Sequence, residues 1–192
     1  GVYKYELGSG KSKPLAGAEY TLYSDAACTK RVVKLGPTST NGYASSAKFA
    51  YNDINQGIYY MKETKAPVGY KLSTEVKRID VSDAVKDDKI SYVTFYNEKY
   101  DVNIEVTKVD SKTNNPLKGA EFAIYTTKPI IYAPVITGTT GDDGKVTFKF
   151  NPTQETYYIY ETKAPDGYHL NEEWRNGKEI RVSDSNEGTK IL

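Results

Sequence analysis

Apolar and polar residues alternate along short stretches of this chain, with turn-forming residues between the stretches. Such alternation is typical of half-buried β-strands, and no stretch keeps a helical period beyond two turns. The pattern predicts strands at 2–5, 18–23, 31–35, 43–49, 58–63, 76–81 and 90–97, and then at 102–109, 120–125, 130–136, 145–150, 157–161, 179–182 and 190–192. The 18 tyrosines agree with this pattern, because tyrosine favours pleated, half-buried surfaces. We therefore predict an all-β fold.

Two phrases occur twice in the chain. The first is Tyr-Tyr-x-x-Glu-Thr-Lys-Ala-Pro-x-Gly-Tyr, at residues 59–70 and 157–168, and the second is Pro-Leu-x-Gly-Ala-Glu-Tyr/Phe, at residues 14–20 and 116–122. Copies that lie about 100 residues apart indicate a repeated domain, not a short solenoid unit. We predict tandem domains at residues 1–99 and 100–192, each a β-sandwich of immunoglobulin-like size.

Three of the predicted strands in the first repeat carry a polar residue in an otherwise apolar inward row. Because side chains alternate along a strand, Lys4 shares a face with Val2, Glu63 with Tyr59 and Met61, and Asn97 with Val93 and Phe95. The second repeat places Lys108 and Glu161 in equivalent rows. We therefore expect Lys4, Glu63 and Asn97 to meet in one core.

A lysine and a glutamate in a core are costly unless they are paired. Burial lowers the pKa of a lysine and raises that of a glutamate, which favours a nucleophilic neutral amine beside a protonated carboxyl. Such an amine could attack the side-chain amide of Asn97, release ammonia and leave a Lys–Asn isopeptide bond. The alternative interpretation is an ion pair between Lys4 and Glu63 with the Asn97 amide as a cap, and the pattern alone leaves both open.

Both repeated phrases, together with the lysine in the first strand, resemble the Cna B-type (SpaA-like, prealbumin-like) domains of Gram-positive pilins and cell-wall-anchored adhesins. The resemblance covers essentially the whole chain, and the Glu-Thr-Lys-Ala-Pro-x-Gly-Tyr string is specific. It implies an autocatalytic isopeptide bond between Lys4 and Asn97, promoted by Glu63. In the second repeat it assigns the lysine to Lys108 and the promoting acid to Glu161.

The second repeat departs from this pattern at its end. Alignment of residues 89–90 with residues 190–191 places its asparagine near position 198, beyond Leu192, so we expect its last strand to be incomplete. Three explanations are that the fragment is cut short, that the strand is not resolved, or that another chain donates it. We favour the first two.

The resemblance also implies a function and a location. We expect a structural stalk or pilin module at the cell surface, in a wall-anchored protein or a pilus, with neighbouring domains or pilin subunits as partners. The alternative is an adhesin module that binds a host or extracellular-matrix protein.

Composition argues against several other functions. A net charge of +1, from 26 basic and 25 acidic residues, argues against nucleic acid as a partner. No apolar run approaches the roughly 20 residues of a membrane helix, so we expect no membrane contact by this fragment. Cys28 and His169 are single and lie in different repeats, which disfavours a thiol enzyme. With no metal, triad or cofactor pattern, we expect neither an enzyme nor a cofactor.

Overall fold

The computed structural model describes residues 1–47, 57–82, 90–182 and 189–192. The chain divides into two compact units, Gly1–Lys99 and Tyr100–Leu192. Each unit is nearly all-β and contains two sheets. The predicted all-β class is confirmed, with a short helix in the second unit as an addition.

The described part of the first unit forms β1 (Val2–Glu6), β2 (Glu19–Tyr23), β3 (Arg31–Leu35), β4 (Tyr43–Ala44), β5 (Ile58–Lys65), β6 (Val76–Asp80) and β7 (Val93–Asn97). One sheet has the order β4-β1-β7 and the other the order β3-β2-β5-β6. Neighbouring strands are antiparallel except β1 and β7, which are parallel. The first and last strands of the unit are therefore direct neighbours.

The second unit repeats this topology in its described residues. Its elements are β8 (Val102–Thr107), β9 (Glu121–Tyr125), β10 (Ile136–Thr139), β11 (Lys145–Phe150), β12 (Thr156–Lys163), α1 (Glu172–Arg175), β13 (Lys178–Arg181) and β14 (Thr189–Ile191). The sheets have the orders β11-β8-β14 and β10-β9-β12-β13. Again the first and last strands, β8 and β14, pair in parallel.

Each core lies between the two sheets of its unit. In the first unit Val2 and Phe95 from one sheet pack with Tyr20, Tyr59 and Met61 from the other. The second core is built in the same way and contains, among others, Ile104, Phe122, Phe148, Tyr157 and Ile159. The buried residues fall on alternate positions of β1, β5 and β8, as the sequence pattern predicts, whereas β12 also buries Tyr160 between Ile159 and Glu161.

One predicted strand is wrong. The sequence predicts a strand over residues 130–136, but β10 begins only at Ile136 and residues 130–135 form an irregular segment. Pro129 and Pro134 supply no backbone N–H for a sheet ladder, which disfavours a regular strand in this segment. Ile131 and Tyr132 in this segment are 67% and 65% exposed.

Smaller differences concern element ends. The last strand of the first unit begins at Val93 rather than at residue 90, and the first strand of the second unit ends at Thr107 rather than at residue 109. The predicted strand 43–49 is a strand only at Tyr43–Ala44, and its positions 48 and 49 lie outside the described residues. No helix in the described residues is long and apolar enough to cross a membrane.

Candidate functional site

The position of Lys4 follows from the pairing of β1. Its backbone N–H donates to the Gly42 carbonyl at 2.8 Å, and its own carbonyl accepts from Leu15 N–H at 2.9 Å. On the other side of β1, the parallel register places Lys4 beside Phe95, and Asn97 two positions further on. Because Lys4 and Asn97 lie on inward-facing positions of adjacent strands, their side chains point into the same part of the core.

Glu63 reaches this point from the opposite sheet. It lies on β5, where the alternate residues Tyr59, Met61 and Glu63 are buried. One of its oxygens, Oε2, accepts the backbone N–H of Ser73 at 2.7 Å. The other, Oε1, lies 3.4 Å from the Tyr20 hydroxyl, which donates to it. The carboxylate is therefore held in a defined orientation by neighbours on both sides.

Lys4, Glu63 and Asn97 form one contiguous buried cluster. Lys4 Nζ lies 2.9 Å from Glu63 Oε1 and also donates to Asn97 Oδ1. The Asn97 Nδ2 group donates to both carboxylate oxygens of Glu63, at 3.0 and 2.9 Å. Their exposed fractions are 0%, 0% and 2%. The carboxylate of Glu63 therefore contacts both the amine and the amide nitrogen.

The surroundings favour an uncharged amine at Lys4. Burial lowers the pKa of Lys4, and the neighbouring Glu63 carboxylate opposes this shift. The rings of Tyr20 and Phe95 have centroids 5.9 and 5.7 Å from Lys4 Nζ, and the Lys4 side chain is fully buried. Burial likewise raises the pKa of Tyr20, and the Glu63 carboxylate raises it further, so this hydroxyl stays protonated and acts as a donor.

The second unit holds an equivalent but partly exposed pair. Lys108 repeats the backbone bonds of Lys4, with its N–H on Gly144 O at 2.8 Å and its carbonyl on Leu117 N–H at 2.9 Å. Its ammonium lies 2.8 Å from Glu161 Oε1, with side-chain exposures of 15% and 0%. The other oxygen, Glu161 Oε2, accepts the backbone N–H of Asn171 at 2.8 Å.

No asparagine joins Lys108 and Glu161 in the described residues. Apart from the Lys108 ammonium, Glu161 Oε1 has no hydrogen-bonding partner there. The parallel register pairs Lys190 with Ile104. Continued at the same spacing, this register would put the counterpart of Asn97 at position 196, which is also beyond Leu192 and close to the position near 198 expected from the sequence alignment.

Some contributors to the site carry no strong sequence signal. Tyr20 could have been found, because it ends the repeated Pro-Leu-x-Gly-Ala-Glu phrase, although the second unit has Phe122 there. The backbone N–H groups of Ser73 and Asn171 could not, because any residue except proline supplies one. Both lie ten residues after the glutamate that they contact.

The first cluster combines the groups that amide formation between side chains requires. A buried amine can act as a nucleophile, a carboxamide can act as an electrophile, and one carboxyl group contacts both nitrogens and can move protons between them. The described residues contain no group of three or more His, Cys, Asp or Glu side chains that could hold a metal ion.

Comparison with known proteins gives a family match over nearly the whole chain. The sequence profile of the SpaA prealbumin-like fold domain matches twice, at residues 4–99 and 102–191. The trypsin-resistant surface T6 protein of Streptococcus pyogenes serotype M6 is 34% identical over 83 residues. These residues are 41% of this chain and 14% of that protein.

Solved structures agree on the fold. The Bacillus anthracis TIE protein matches all of this chain with 28% identity and a TM-score of 0.59, over 32% of its own chain. A C-terminal fragment of the pilus adhesin SpaC from Lactobacillus rhamnosus GG matches 96% of this chain with a TM-score of 0.51. Its identity is 19%, over 81% of that fragment, and it supports the fold alone. This chain therefore spans less than a third of the TIE protein and a smaller part of the T6 protein.

Proposed function

The chain belongs to the SpaA prealbumin-like fold domain family, and on this basis we propose that it is a structural stalk or pilin module of a Gram-positive surface protein. The observation that carries the proposal is the buried contact of Lys4, Glu63 and Asn97. Its central element is an isopeptide bond between Lys4 and Asn97, formed by the folded domain itself.

The bond forms in three steps that conserve every atom. Glu63 first takes a proton from the Lys4 ammonium, leaving a neutral amine beside a neutral carboxyl. Lys4 Nζ then attacks Asn97 Cγ, and Glu63 transfers a proton to the departing Nδ2 group. The C–Nδ2 bond breaks and ammonia leaves, Nζ gives its surplus proton back to the Glu63 carboxylate, and the new amide joins Nζ to Cγ with one N–H. Since the product stays attached, the reaction occurs once per domain and turns over no substrate.

A bond at this place suits a module that bears load. It would join β1 directly to β7, the first and last strands of the unit, which already pair in parallel. A force that pulls on the two ends of the unit would then pass through a covalent bond instead of the hydrogen bonds of the sheets. A covalent link of this kind also needs no cysteine, and the chain has a single one.

The proposed location is the cell surface, in a wall-anchored protein or a pilus. Two observations support it: the family match, and the similarity to a protein whose name places it at the surface of Streptococcus pyogenes. The proposed partners are neighbouring domains or pilin subunits of the same assembly. The proposed pair in the second unit, Lys108 and Glu161, would form its bond only with an asparagine outside the described residues.

Peptide mapping tests the bond directly. Trypsin should leave residues 1–11 joined to residues 90–99, because acylated Lys4 is no longer a cleavage site. The joined pair should weigh one ammonia less than its two separate peptides, and fragmentation should place the link at Lys4 and Asn97. Recovery of free peptides 1–4 and 90–99 in full yield would refute the proposal.

A second candidate function is an adhesin module that binds a host or matrix protein. The observation that favours it is the exposed apolar segment at residues 130–135, which includes Ile131 and Tyr132. Saturable binding to a matrix protein that is abolished by Ile131→Ser and Tyr132→Ser would support it. Undiminished binding by the double variant would exclude this segment as the contact.

A further inference from the structure

In each unit, the segment that follows the site glutamate turns back, so that the backbone N–H ten residues later donates a hydrogen bond to the glutamate carboxylate. We call this segment the strap: residues 66–73 in the first unit and 164–171 in the second. The first strap begins after β5, turns at Pro67, where the Tyr70 N–H donates to the Pro67 carbonyl at 3.1 Å, and returns so that Ser73 N–H binds Glu63 Oε2. The second turns in the same way at Pro165 and ends on Glu161 Oε2.

Both straps are fastened by a tyrosine. The Tyr70 hydroxyl donates to Glu6 Oε2 at 2.8 Å, and Glu6 lies two residues after Lys4. Tyr168 interacts with Asp110, which lies two residues after Lys108, and this interaction lowers the pKa of Asp110 and raises that of Tyr168. This tyrosine is the last residue of the repeated Glu-Thr-Lys-Ala-Pro-x-Gly-Tyr phrase, and it contacts an acid two residues after the lysine of its unit.

The acceptor of this bond in the first unit is a strongly held carboxylate. The hydrogen bond from Tyr70, together with Lys13 and Lys99, whose ammonium groups lie 3.2 Å away, lowers the pKa of Glu6 to about 2. Glu6 is therefore ionised at neutral pH, and hydrogen bonds to charged acceptors are stronger than neutral ones.

The strap also contacts the strand that carries Asn97. Lys71 N–H donates to the Glu98 carbonyl at 2.9 Å, and Tyr70 forms a bridge with Lys99. The strap of the first unit therefore contacts the ends of β1, β5 and β7, where Lys4, Glu63 and Asn97 lie. These are the three strands whose side chains must be aligned for the amine to attack.

From this repeated geometry we infer that Tyr70 and Tyr168 are positioning residues for the isopeptide reaction. They hold the strap against the lysine strand, so that the strap's last N–H fixes one oxygen of the glutamate and leaves the other facing the lysine. The inference rests on the proposed function. It assigns the tyrosine of the repeated phrase a role in the rate of bond formation, although it touches none of the reacting atoms.

The test is a time course of bond formation in the full chain. Cell-free synthesis is stopped with denaturant at intervals, and intact mass gives the fraction of chains that have lost ammonia. We expect Tyr70→Phe to form the isopeptide bond (closure) roughly tenfold more slowly than the unaltered chain, as loss of a charge-assisted hydrogen bond predicts. Glu6→Ala should slow closure similarly, and the double variant should be no slower than either single one.

Two control variants separate positioning from general stability. Lys13→Met removes a different partner of Glu6 without touching the strap, and we expect its rate to stay within about twofold, since exposed ion pairs contribute little. Glu6→Gln keeps an oxygen that accepts from Tyr70 and should largely retain the rate. Unfolding midpoints of all variants are measured in an Asn97→Ala background, which cannot form the bond. Variants with equal midpoints are then compared, so that a difference in the rate of bond formation does not reflect a difference in stability.

The outcomes are distinguishable. Slow closure of Tyr70→Phe with normal closure of Lys13→Met supports the inference. Equal rates for Tyr70→Phe and Lys13→Met, in a chain that does close, would overturn it and leave the proposed bond intact. If the unaltered chain never loses ammonia, the proposed bond itself is wrong and the inference is overturned with it.

Discussion

Replacement of Asn97 by alanine should remove the crosslink and leave Lys4 as a free amine beside Glu63. Lys4 and Asn97 are 93 residues apart. By the chain-entropy account of crosslinks, closing a loop of roughly 100 residues stabilises a domain by about 4–5 kcal/mol. We therefore expect the first unit to lose about 4–5 kcal/mol, or about 20 °C in its melting midpoint.

Scanning calorimetry can measure this change because the chain contains an internal reference. The single tryptophan, Trp174, lies in the second unit, so its fluorescence identifies the transition of that unit. The other calorimetric transition then belongs to the first unit. Thr94→Ala is the matched control, because it lies on β7 but keeps Asn97, and we expect a change within about 0.5 kcal/mol.

One outcome would refute the stabilising role of the bond. Suppose that Asn97→Ala has its full calculated mass but shifts the transition of the first unit no more than Thr94→Ala does. The bond then does not constrain the unfolded chain. The stabilising role proposed for it would then be wrong. A shift confined to the second transition would contradict the assignment of the bond to the first unit.

Further predictions concern pH, the backbone and Tyr20. Burial lowers the pKa of unlinked Lys4, so the folded Asn97→Ala variant binds fewer protons than its unfolded chain. Its stability should therefore rise as the pH increases towards about 10.4, whereas the linked chain, with Lys4 acylated, should show no such rise in urea titrations. Gly42→Ala should destabilise the first unit by at least about 1 kcal/mol in the same assay, because Gly42 has φ +75° and a Cβ there would lie 2.4 Å from the Lys4 carbonyl oxygen. Tyr20→Phe should still form the bond, as judged by mass, because its hydroxyl lies 3.4 Å from Glu63 and the second unit has phenylalanine there.

Much of the fold could be predicted from the sequence because it depends on local alternation. The inward rows that end in Lys4, Glu63 and Asn97 follow from the two-residue period of a strand, and the structure brings these three side chains together. The prediction of a strand over residues 130–136 was wrong. The apolar residues there satisfy the pattern expected of a strand, but Pro129 before the segment and Pro134 within it disfavour regular pairing.

Other features depend on contacts between distant parts of the chain. The parallel register of β8 and β14 is fixed by pairing and not by the number of residues between motifs. The bond between Tyr70 and Glu6 spans 64 residues. The repeated phrase indicates that its tyrosine matters, but only the structure identifies the acid that it contacts.

The most direct test of the central claim is the intact mass of the purified chain beside that of Lys4→Ala and Glu63→Ala. We predict that the unaltered chain weighs one ammonia less than its sequence requires, and that both variants have their full calculated masses. The full calculated mass for the unaltered chain would contradict the account, leaving Lys4, Glu63 and Asn97 as a buried ion pair with an amide cap. A deficit that persists in Lys4→Ala would contradict the assignment of Lys4 as the nucleophile.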